Sequence, residues 1–494
     1  MIDTPEPLPP DTRRARALRN DAFLVSVTSN WISMLGLGML LTALVTWLFA
    51  LPIQMRGHAE NPYIGLFVFV AVPILFFAGL ILVPVGVFLA RRRVQRRLEV
   101  TIADRQLAIR RLVIFLGGAT LLNMVVGTQI TYRAVEHMES IQFCGQSCHV
   151  MLPEYRAHQN SPHSRVLCVE CHVAPGAGGW FESKMAGTRQ LVQATLGTFP
   201  RPIKSGLESG RLVPARETCE QCHWPQRMSF VQVRVSQHYE DDEANTPTAS
   251  VLTMRIGGGM LAGIHGSHFG PGVTIRYAAS DAKRQTIPWV EYTNERTGES
   301  HTFLAPKTDP DVVKKDKLEV HQMQCVDCHN RPTHSFDLPE QAVDKAITNG
   351  EIGYALPFVR KKGVEILKAT YASNAEATEK IPAALADYYK ADYPDVYANR
   401  ADDIAAAGRA LAAIYDRNVF PDLGVGWGTY ANNIGHNDFP GCFRCHDADH
   451  TAADGTIIPQ ECDGCHELLA VDEKSPEILK TLGIENRLGS LRRP

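Results

Sequence analysis

The stretch FCGQSCHVMLPEYRAHQNSPHSRVLCVECH, residues 143–172, decides what kind of fold this chain adopts. It contains two cysteine pairs, and a histidine directly follows the second cysteine of each pair. The later pair, Cys168 and Cys171 with His172, has the C-x-x-C-H spacing typical of covalent haem attachment. Two thiols about one helical turn apart can add to the two vinyl groups of one haem, and the adjacent histidine then reaches the iron.

The same pattern accounts for all 12 cysteines of the 494-residue chain. Chance predicts roughly 0.01 strict C-x-x-C-H hits in a sequence of this composition. Five are present: Cys168/Cys171/His172, Cys219/Cys222/His223, Cys325/Cys328/His329, Cys442/Cys445/His446 and Cys462/Cys465/His466. The first motif in chain order, Cys144/Cys148/His149, has one extra residue between its cysteines. We therefore predict six covalently attached haems c. Zinc knuckles and disulfides are weaker alternatives, because neither needs a histidine after every second cysteine.

Three apolar spans precede these motifs, at about 31–53, 63–90 and 112–130. Each is long enough to cross a hydrocarbon core as a helix. We predict a membrane α-helical anchor of three transmembrane helices over residues 31–131. A haem-packed, mostly α-helical and irregular multihaem cytochrome c domain with a small antiparallel β insert follows it.

Arginine placement predicts the orientation of this anchor. Four arginines lie in residues 13–19 and eight lie in residues 91–111, whereas the loop between the first two spans has only Arg56. Positively charged loops stay in the cytoplasm. The basic segment 1–30 is therefore predicted to be cytoplasmic, and the haem domain is predicted to face the periplasm from a bacterial inner membrane.

The outer part divides by composition into three predicted regions. Residues 132–223 form a haem domain with the first three motifs, and residues 224–320 form a haem-free insert with alternating β-branched runs and glycine-rich breaks. Residues 321–494 form a C-terminal haem domain with the last three motifs and a helical segment at 337–417.

Histidine supply bears on what the irons can do. The motif histidines are the predicted first iron ligands: His149, His172, His223, His329, His446 and His466. Eight others near the motifs or in the GIHGSHF stretch are candidate second ligands: His163, His334, His436, His450, His265, His268, His321 and His238. His58, His158 and His301 are interpreted as structural or solvated. Iron with two protein ligands has no open position, so this surplus favours electron transfer over catalysis at a haem.

Residues 132–191 resemble the NapC/NirT family of membrane-anchored quinol dehydrogenases, which includes the NrfH-type subunits. The resemblance lies in a transmembrane helix leading to a first motif followed by x-Met, a Ser-x-His segment at 161–163, and a second motif ending in CHxxP at Pro175. The rest of the chain resembles the larger three-span inner-membrane multihaem cytochromes of metal-respiring bacteria, through GIHGSHF, FPGCFRCHDADH and the long haem-free insert.

The resemblance implies particular roles. Met151 would ligate the first iron, instead of or beside His149, and His163 would be the second ligand of another haem. Lys184 lies where the family places a lysine that ligates the second haem or lines the quinol pocket. The family carboxylate seven residues further on is replaced by Leu191.

The proton acceptor for quinol is therefore open. The candidates are Glu136, His137 and Glu139, which follow the third span; Gln190, beside Leu191, is a further candidate residue of the quinol site. Interfacial helix capping is the alternative role for the first three.

Together with the resemblance, these features predict a quinol dehydrogenase, with menaquinol or another quinol as substrate, that gives electrons to periplasmic cytochromes or reductases. A net charge of +6 over residues 1–111 leaves −9 for the rest of the chain, which argues against nucleic acid as a partner and suits docking of a basic redox protein. One alternative is an electron-wiring haem subunit of a larger respiratory complex with no quinol site. Another is a terminal reductase, but no motif has lysine in place of its histidine.

Overall fold

The computed structural model describes residues 23–55, 70–94, 102–147, 149–210, 212–224, 230–258 and 263–484. Their packing separates two compact units. The first contains Met1–Phe143 and His172–Val192, and the second contains Cys144–Cys171 and Gln193–Pro494. We refer to them as the anchor unit and the motif unit.

The anchor unit contains the apolar helices Trp31–Met55, Val72–Val94 and Ile102–Leu122. Among the described residues, two segments are long and apolar enough to cross a membrane, at Val72–Ala90 and Arg105–Val125. The described apolar stretch of the first helix is shorter, Trp31–Trp47. A membrane anchor is therefore supported, and the count of three spans stays a prediction.

The third apolar helix differs from its prediction at both ends. It begins at Ile102, so Arg105, Arg110 and Arg111 lie on the helix and not in a connecting loop. It continues through a π-helical turn, Asn123–Gly127, into the helix Thr128–Glu139. Hydropathy could not reveal this continuity, because a helix keeps its backbone bonds when its side chains change from apolar to polar.

Small residues bring the first two apolar helices into close contact. A Cβ atom on Gly36 would lie 2.8 Å from the backbone nitrogen of Val83, and one on Gly79 would lie 2.8 Å from the carbonyl of Gly36. The side chain of Asn30 donates to the carbonyl of Gly86 at 2.8 Å. Close backbone approach at small residues is how helices associate in lipid, where burial of apolar surface gives no driving force.

The motif unit has a helical segment with a continuous apolar core. Its helices are Pro339–Thr348, Val359–Leu367, Asn374–Asp392, Pro394–Asn399 and Ala401–Asn418. Residues Ile381, Leu385, Tyr389 and Leu411 are fully buried where the two longest helices pack together. These helices have apolar residues at a helical period, as the sequence indicates for residues 337–417.

Two antiparallel sheets lie in the same unit. The first has the order β1-β2-β8, with β1 Val231–Tyr239, β2 Pro247–Arg255 and β8 His466–Glu473. The second has the order β6-β3-β4-β5-β7, with β3 Val273–Ala278, β4 Trp289–Asn294, β5 Glu299–Leu304, β6 Val320–Gln322 and β7 Thr451–Ala452.

Antiparallel structure in residues 224–320 is thus confirmed, but both sheets include C-terminal strands. The strand β8 begins at the sixth motif's His466, and β7 follows the fifth motif. Local patterning cannot predict such pairings, because the partner strands are more than 100 residues apart.

The remaining helices are short or connect the motifs. In the described part of the chain they include Leu152–Gln159, Cys168–His172, Gly176–Leu196, Ile264–Phe269, Val312–Lys315, Cys325–Cys328 and Ile478–Thr481.

Candidate functional site

The described motif segments fold as about one turn of helix, which in the five strict motifs places the two thiols on the same side. The turns include Phe143–Ser147, Cys168–His172, Cys219–Gln221, Cys325–Cys328, Gly441–Arg444 and Cys462–Gly464. In the fourth motif the backbone nitrogen of His329 donates to the carbonyl of Cys325 at 2.8 Å. The third and fifth motifs close in the same way, at 2.8 and 3.0 Å. Cys148 and the side chain of His149 lie outside the described residues.

The zinc and disulfide alternatives find no support in this geometry. Within the described part of the chain, no three His, Cys, Asp or Glu side chains converge as a metal-ion site. The eleven cysteines that the structure describes are all free thiols. A structural zinc needs four such ligands in one tetrahedron.

Histidine rings instead lie in pairs. Four motif histidines each face one histidine from elsewhere in the chain, with ring centroids 5.8–6.2 Å apart. These pairs are His163 with His223, His265 with His329, His268 with His446, and His436 with His466. A fifth pair, His158 with His334 at 6.4 Å, contains no motif histidine.

The spacing fits an iron held between two imidazoles. A ligand nitrogen lies about 2 Å from its metal, so rings on opposite sides of one iron have centroids roughly 6 Å apart. The thiols of each motif adjoin its own histidine, as haem c requires. The four motif pairs can therefore hold haems in which both axial positions are filled by protein.

Hydrogen bonds leave one ring nitrogen available in several of these histidines. Through Nδ1, His268 contacts the carbonyl of Ile264 at 2.7 Å, and His446 contacts that of Pro459 at 2.8 Å. The Nδ1 atom of His163 lies 3.4 Å from the carbonyl of Pro332. A carbonyl on Nδ1 fixes the tautomer and presents Nε2 to a metal. Burial lowers the pKa of His268, which favours the neutral form that binds metals.

The thiols of successive motifs lie near one another. A hydrogen bond with Cys144 lowers the pKa of the Cys168 thiol to about 7. Burial raises the pKa of Cys171, and the nearby thiols of Cys219 and Cys222 raise it further. Cys325 also adjoins Cys219, and Cys442 adjoins both Cys328 and Cys465. The six motifs thus follow one another in space in their order along the chain.

The fourth motif is held by a buried polar network. Asp327, between its two cysteines, accepts a hydrogen bond from the hydroxyl of Tyr277 and pairs with Arg284 at 3.0 Å. Its second oxygen accepts from the backbone nitrogen of Gln324 at 2.7 Å. Burial and the Asp327 charge raise the pKa of Tyr277, so the phenol stays protonated.

Besides His334, which faces His158, three predicted second ligands are not brought to a motif histidine. His450 is buried and uses both ring nitrogens, with Asp447 at 2.9 Å and the carbonyl of Ile287 at 2.8 Å. His238 pairs with Asp344 at 3.4 Å. His321 lies beside Tyr277, with ring centroids 5.6 Å apart.

Comparison with known proteins agrees with the haem geometry. A model described as the N-terminal region of the NapC/NirT cytochrome c family matches residues 106–230. The chain is also 38% identical over 455 residues to the cytochrome c-type protein ImcH of Geobacter sulfurreducens, covering 89% of this chain and 88% of that protein. This chain belongs to the NapC/NirT cytochrome c family. No solved structure matches it.

Membership in the NapC/NirT family confirms the resemblance read from the motifs. The chain is a membrane-associated multihaem c-type cytochrome of electron transport. The family match covers the third apolar helix and the first three motifs, which is where the sequence places the membrane-facing chemistry.

The predicted quinol residues of this NapC/NirT cytochrome lie on two helices of the anchor unit. Glu136 is exposed and pairs with Arg133 at 3.5 Å, and Glu139 is half-buried. The His137 ring lies 5.5 Å from that of Phe143, the residue before the first motif. Lys184 and Gln190 lie on the helix Gly176–Leu196; Gln190 is exposed, and the Lys184 side chain lies outside the described residues.

Two side chains of this NapC/NirT cytochrome have roles that the sequence did not predict. His158 was interpreted as structural, yet its ring faces His334, which lies 176 residues further along the chain. Phe443, inside the fifth motif, stacks on the ring of His436 at 4.2 Å and 10°. The His158–His334 contact has no signature in local spacing, because only tertiary folding brings the two segments together, whereas Phe443 lies seven residues after His436.

Proposed function

We propose that this chain carries six haems c and oxidises menaquinol at the outer leaflet of a bacterial inner membrane, passing electrons to a periplasmic cytochrome or reductase. The observation that carries the proposal is that the motif histidines of four successive motifs each face a second histidine. Apolar helices in the same chain support the membrane location.

The motif residues would hold the cofactors. The thiols of each motif would attach one haem, and the four motif pairs would supply both axial ligands of the last four irons. When bound, haem would supply one-electron carriers with no open iron position. These centres are therefore suited to electron transfer, and substrate chemistry is expected nearer the membrane.

A cleft in the anchor unit suits a quinol. It has a volume of about 540 Å³ and lies between the first and third apolar helices. Its lining is apolar, with Leu35, Met39 and Phe115 among the side chains, and it includes one polar pair. In that pair the hydroxyl of Thr42 donates to the side-chain oxygen of Asn123 at 2.8 Å. An apolar cleft with a few polar groups is typical of a site for a small apolar molecule.

Proton transfer would fall to side chains that follow the third helix. Oxidation of one quinol would release two electrons and two protons; two haems would each take one electron, and the protons would go to side chains and then to periplasmic water. Glu136, His137 and Glu139 are the proposed acceptors, with Lys184 and Gln190 as groups that orient the quinol. A carboxylate or imidazole serves best when its pKa is near the ambient pH.

The test is reduction of the purified, detergent-solubilised holoprotein by a reduced menaquinone analogue. We expect the haem absorption bands to show reduction, and Thr42→Val and Asn123→Leu to slow it. Thr46→Val is the matched control, because Thr46 donates to the carbonyl of Thr42 in its own helix and does not line the cleft. If the haems stay oxidised with excess quinol and accept electrons only from a copurified subunit, the chain is the wiring subunit of a larger complex instead.

A further inference from the structure

The pair His158 and His334 resembles the four motif pairs in the distance between its rings, but neither of its histidines belongs to a motif. Its ring centroids are 6.4 Å apart and its ring planes are inclined by 40°, within the 25–75° found for the other four. Neither histidine follows a cysteine. An iron site built from this pair would take no ligand from the motif that attaches its haem.

Both rings are held in place by backbone carbonyls. Through Nδ1, His334 contacts the carbonyl of Glu154 at 3.0 Å, the arrangement also found for His268 and His446. His158 is 4% exposed and contacts the carbonyl of Val166 through Nε2 at 3.1 Å. Its Nδ1 has only a 3.5 Å contact with the side chain of Gln159 and is the nitrogen left for a metal.

The first motif packs on the helix that carries His158. The helix Leu152–Gln159 places Tyr155 and His158 three residues apart, on one face. The side chain of Gln146 donates to the hydroxyl of Tyr155 at 3.0 Å. Gly145 lies against the same ring so closely that a Cβ atom there would collide with it. Gly145 and Gln146 of the first motif and the His158 ring therefore lie on one side of this helix.

The spacing of the two cysteines within each motif indicates which haem the His158–His334 pair would ligate. The second motif is a strict C-x-x-C-H, so His172 is in the standard position to bind its own iron. The first motif has an extra residue between its cysteines, which changes where His149 stands relative to the thiols.

We propose that His158 and His334 are the two axial ligands of the haem attached at Cys144 and Cys148, in place of His149 and Met151. This inference rests on haem attachment at the first motif, which is part of the proposed function, and does not depend on quinol oxidation. It departs from the role that the family resemblance implies for Met151. A haem with two histidine ligands has a lower potential than one with histidine and methionine. The first haem would then be low-spin and closed to added ligands.

The test uses the full-length holoprotein, with axial ligands read from electron paramagnetic resonance, near-infrared magnetic circular dichroism and a potentiometric titration. The variants are His158→Met and His334→Met, with His301→Met as control. His301 pairs with Asp454 at 3.5 Å and lies beside the ring of Phe303. Intact mass confirms that six haems remain attached in each variant.

We expect each of the first two variants to convert the same single haem to a histidine–methionine signature with a raised potential. His301→Met and Met151→Leu should change no ligand signature. The proposal is overturned if the two variants alter two different haems, if neither alters any haem, or if Met151→Leu produces a high-spin haem.

A measurement on the unaltered protein protects the test against variants that fail to fold. The wild type should have no charge-transfer band from a methionine sulfur to iron, and such a band would overturn the proposal. Failure of the wild type to accept electrons from quinol would contradict the proposed function but leave all these signatures unchanged.

Discussion

Two regions of the chain bury their side chains to very different extents. One is the helical segment from Pro339 to Asn418, and the other contains the first three motifs, residues 144–223. The helical segment has a core of fully buried aliphatic and aromatic residues. In the described part of residues 144–223, the buried side chains are Pro153, Ala157, His158 and Ala215. Apolar porphyrin surface would add buried contacts at the first three motifs, so we infer that one region folds mainly on its own side chains and the other together with its cofactors.

The largest test of this difference is removal of one haem. Replacing both Cys168 and Cys171 with serine should lower the haem content by one of six and speed proteolysis of residues 144–223 on the order of tenfold, because local stability there depends on the cofactor. Mass spectrometry of the fragments identifies the cleavage sites. Cuts that fall equally within the helices 339–418 would show that the two regions unfold together and would contradict the comparison.

Truncation of a core side chain in the helical segment should lower the free energy of unfolding and leave the haems unchanged. Leu411 is fully buried, so Leu411→Ala is expected to cost about 2–5 kcal/mol of unfolding free energy through lost burial and a cavity. Denaturant unfolding followed by circular dichroism measures this loss, and the haem potentials should not change. The exposed Arg409→Ala, on the same helix, is the control and should be close to neutral.

The fourth motif depends both on buried protein side chains and on its cofactor, and Asp327 contributes to both. Asp327→Asn leaves Arg284 without its buried partner and should cost about 1–3 kcal/mol. Loss of a negative charge beside the attached haem should also raise one haem potential. A potentiometric titration measures the shift. Asp463→Asn changes the corresponding segment of the sixth motif at an exposed position and should have a smaller effect on both quantities.

The stacked ring of Phe443 tests whether motif residues position ligands of a neighbouring haem. Phe443→Leu removes the stacking on His436, worth about 0.5–1.5 kcal/mol beyond the buried area. We expect a change in the resonance signature of one haem only, because the imidazole plane is freed to rotate. The exposed Phe230→Leu should leave every haem signature as it is.

The smallest expected effect is a pH dependence of stability at His238. A hydrogen bond with Asp344 raises the pKa of His238, so the pair stabilises the fold at low pH and this contribution is lost as pH rises through the raised pKa. Because His238 is half exposed, the contribution is below about 1 kcal/mol. The stability difference between wild type and His238→Gln should be present near pH 5 and absent by pH 9. A constant difference across that range would show that the ion pair is not its origin.

The two regions also differ in how well the sequence predicts them. The motif cysteines and histidines are visible because attachment chemistry requires a local spacing, and the helices of 337–417 are visible because they bury one face at a regular period. The partners of the motif histidines are not local. His265 and His268 face His329 and His446, and only the tertiary fold determines that order.

His450 shows the limit of arguing from proximity in sequence. It lies four residues after the fifth motif's His446, yet Asp447 and the carbonyl of Ile287 occupy its ring nitrogens. His158, ten residues before the second motif's Cys168, faces His334 and no motif histidine. A histidine is available to an iron only when carbonyls and carboxylates leave one of its ring nitrogens free. The distance of that histidine from a motif along the chain does not predict those contacts.

The strand β8 has a consequence for assembly of the molecule during biosynthesis. It begins at His466 and pairs with β2, which is synthesised more than 200 residues earlier. Until the end of the chain emerges, β2 has a free edge that could pair with another molecule. Attachment of the haem proposed for the sixth motif and closure of this sheet would therefore involve the same segment. A ribosome that stops before residue 466 would release a chain open to aggregation as well as short of one cofactor.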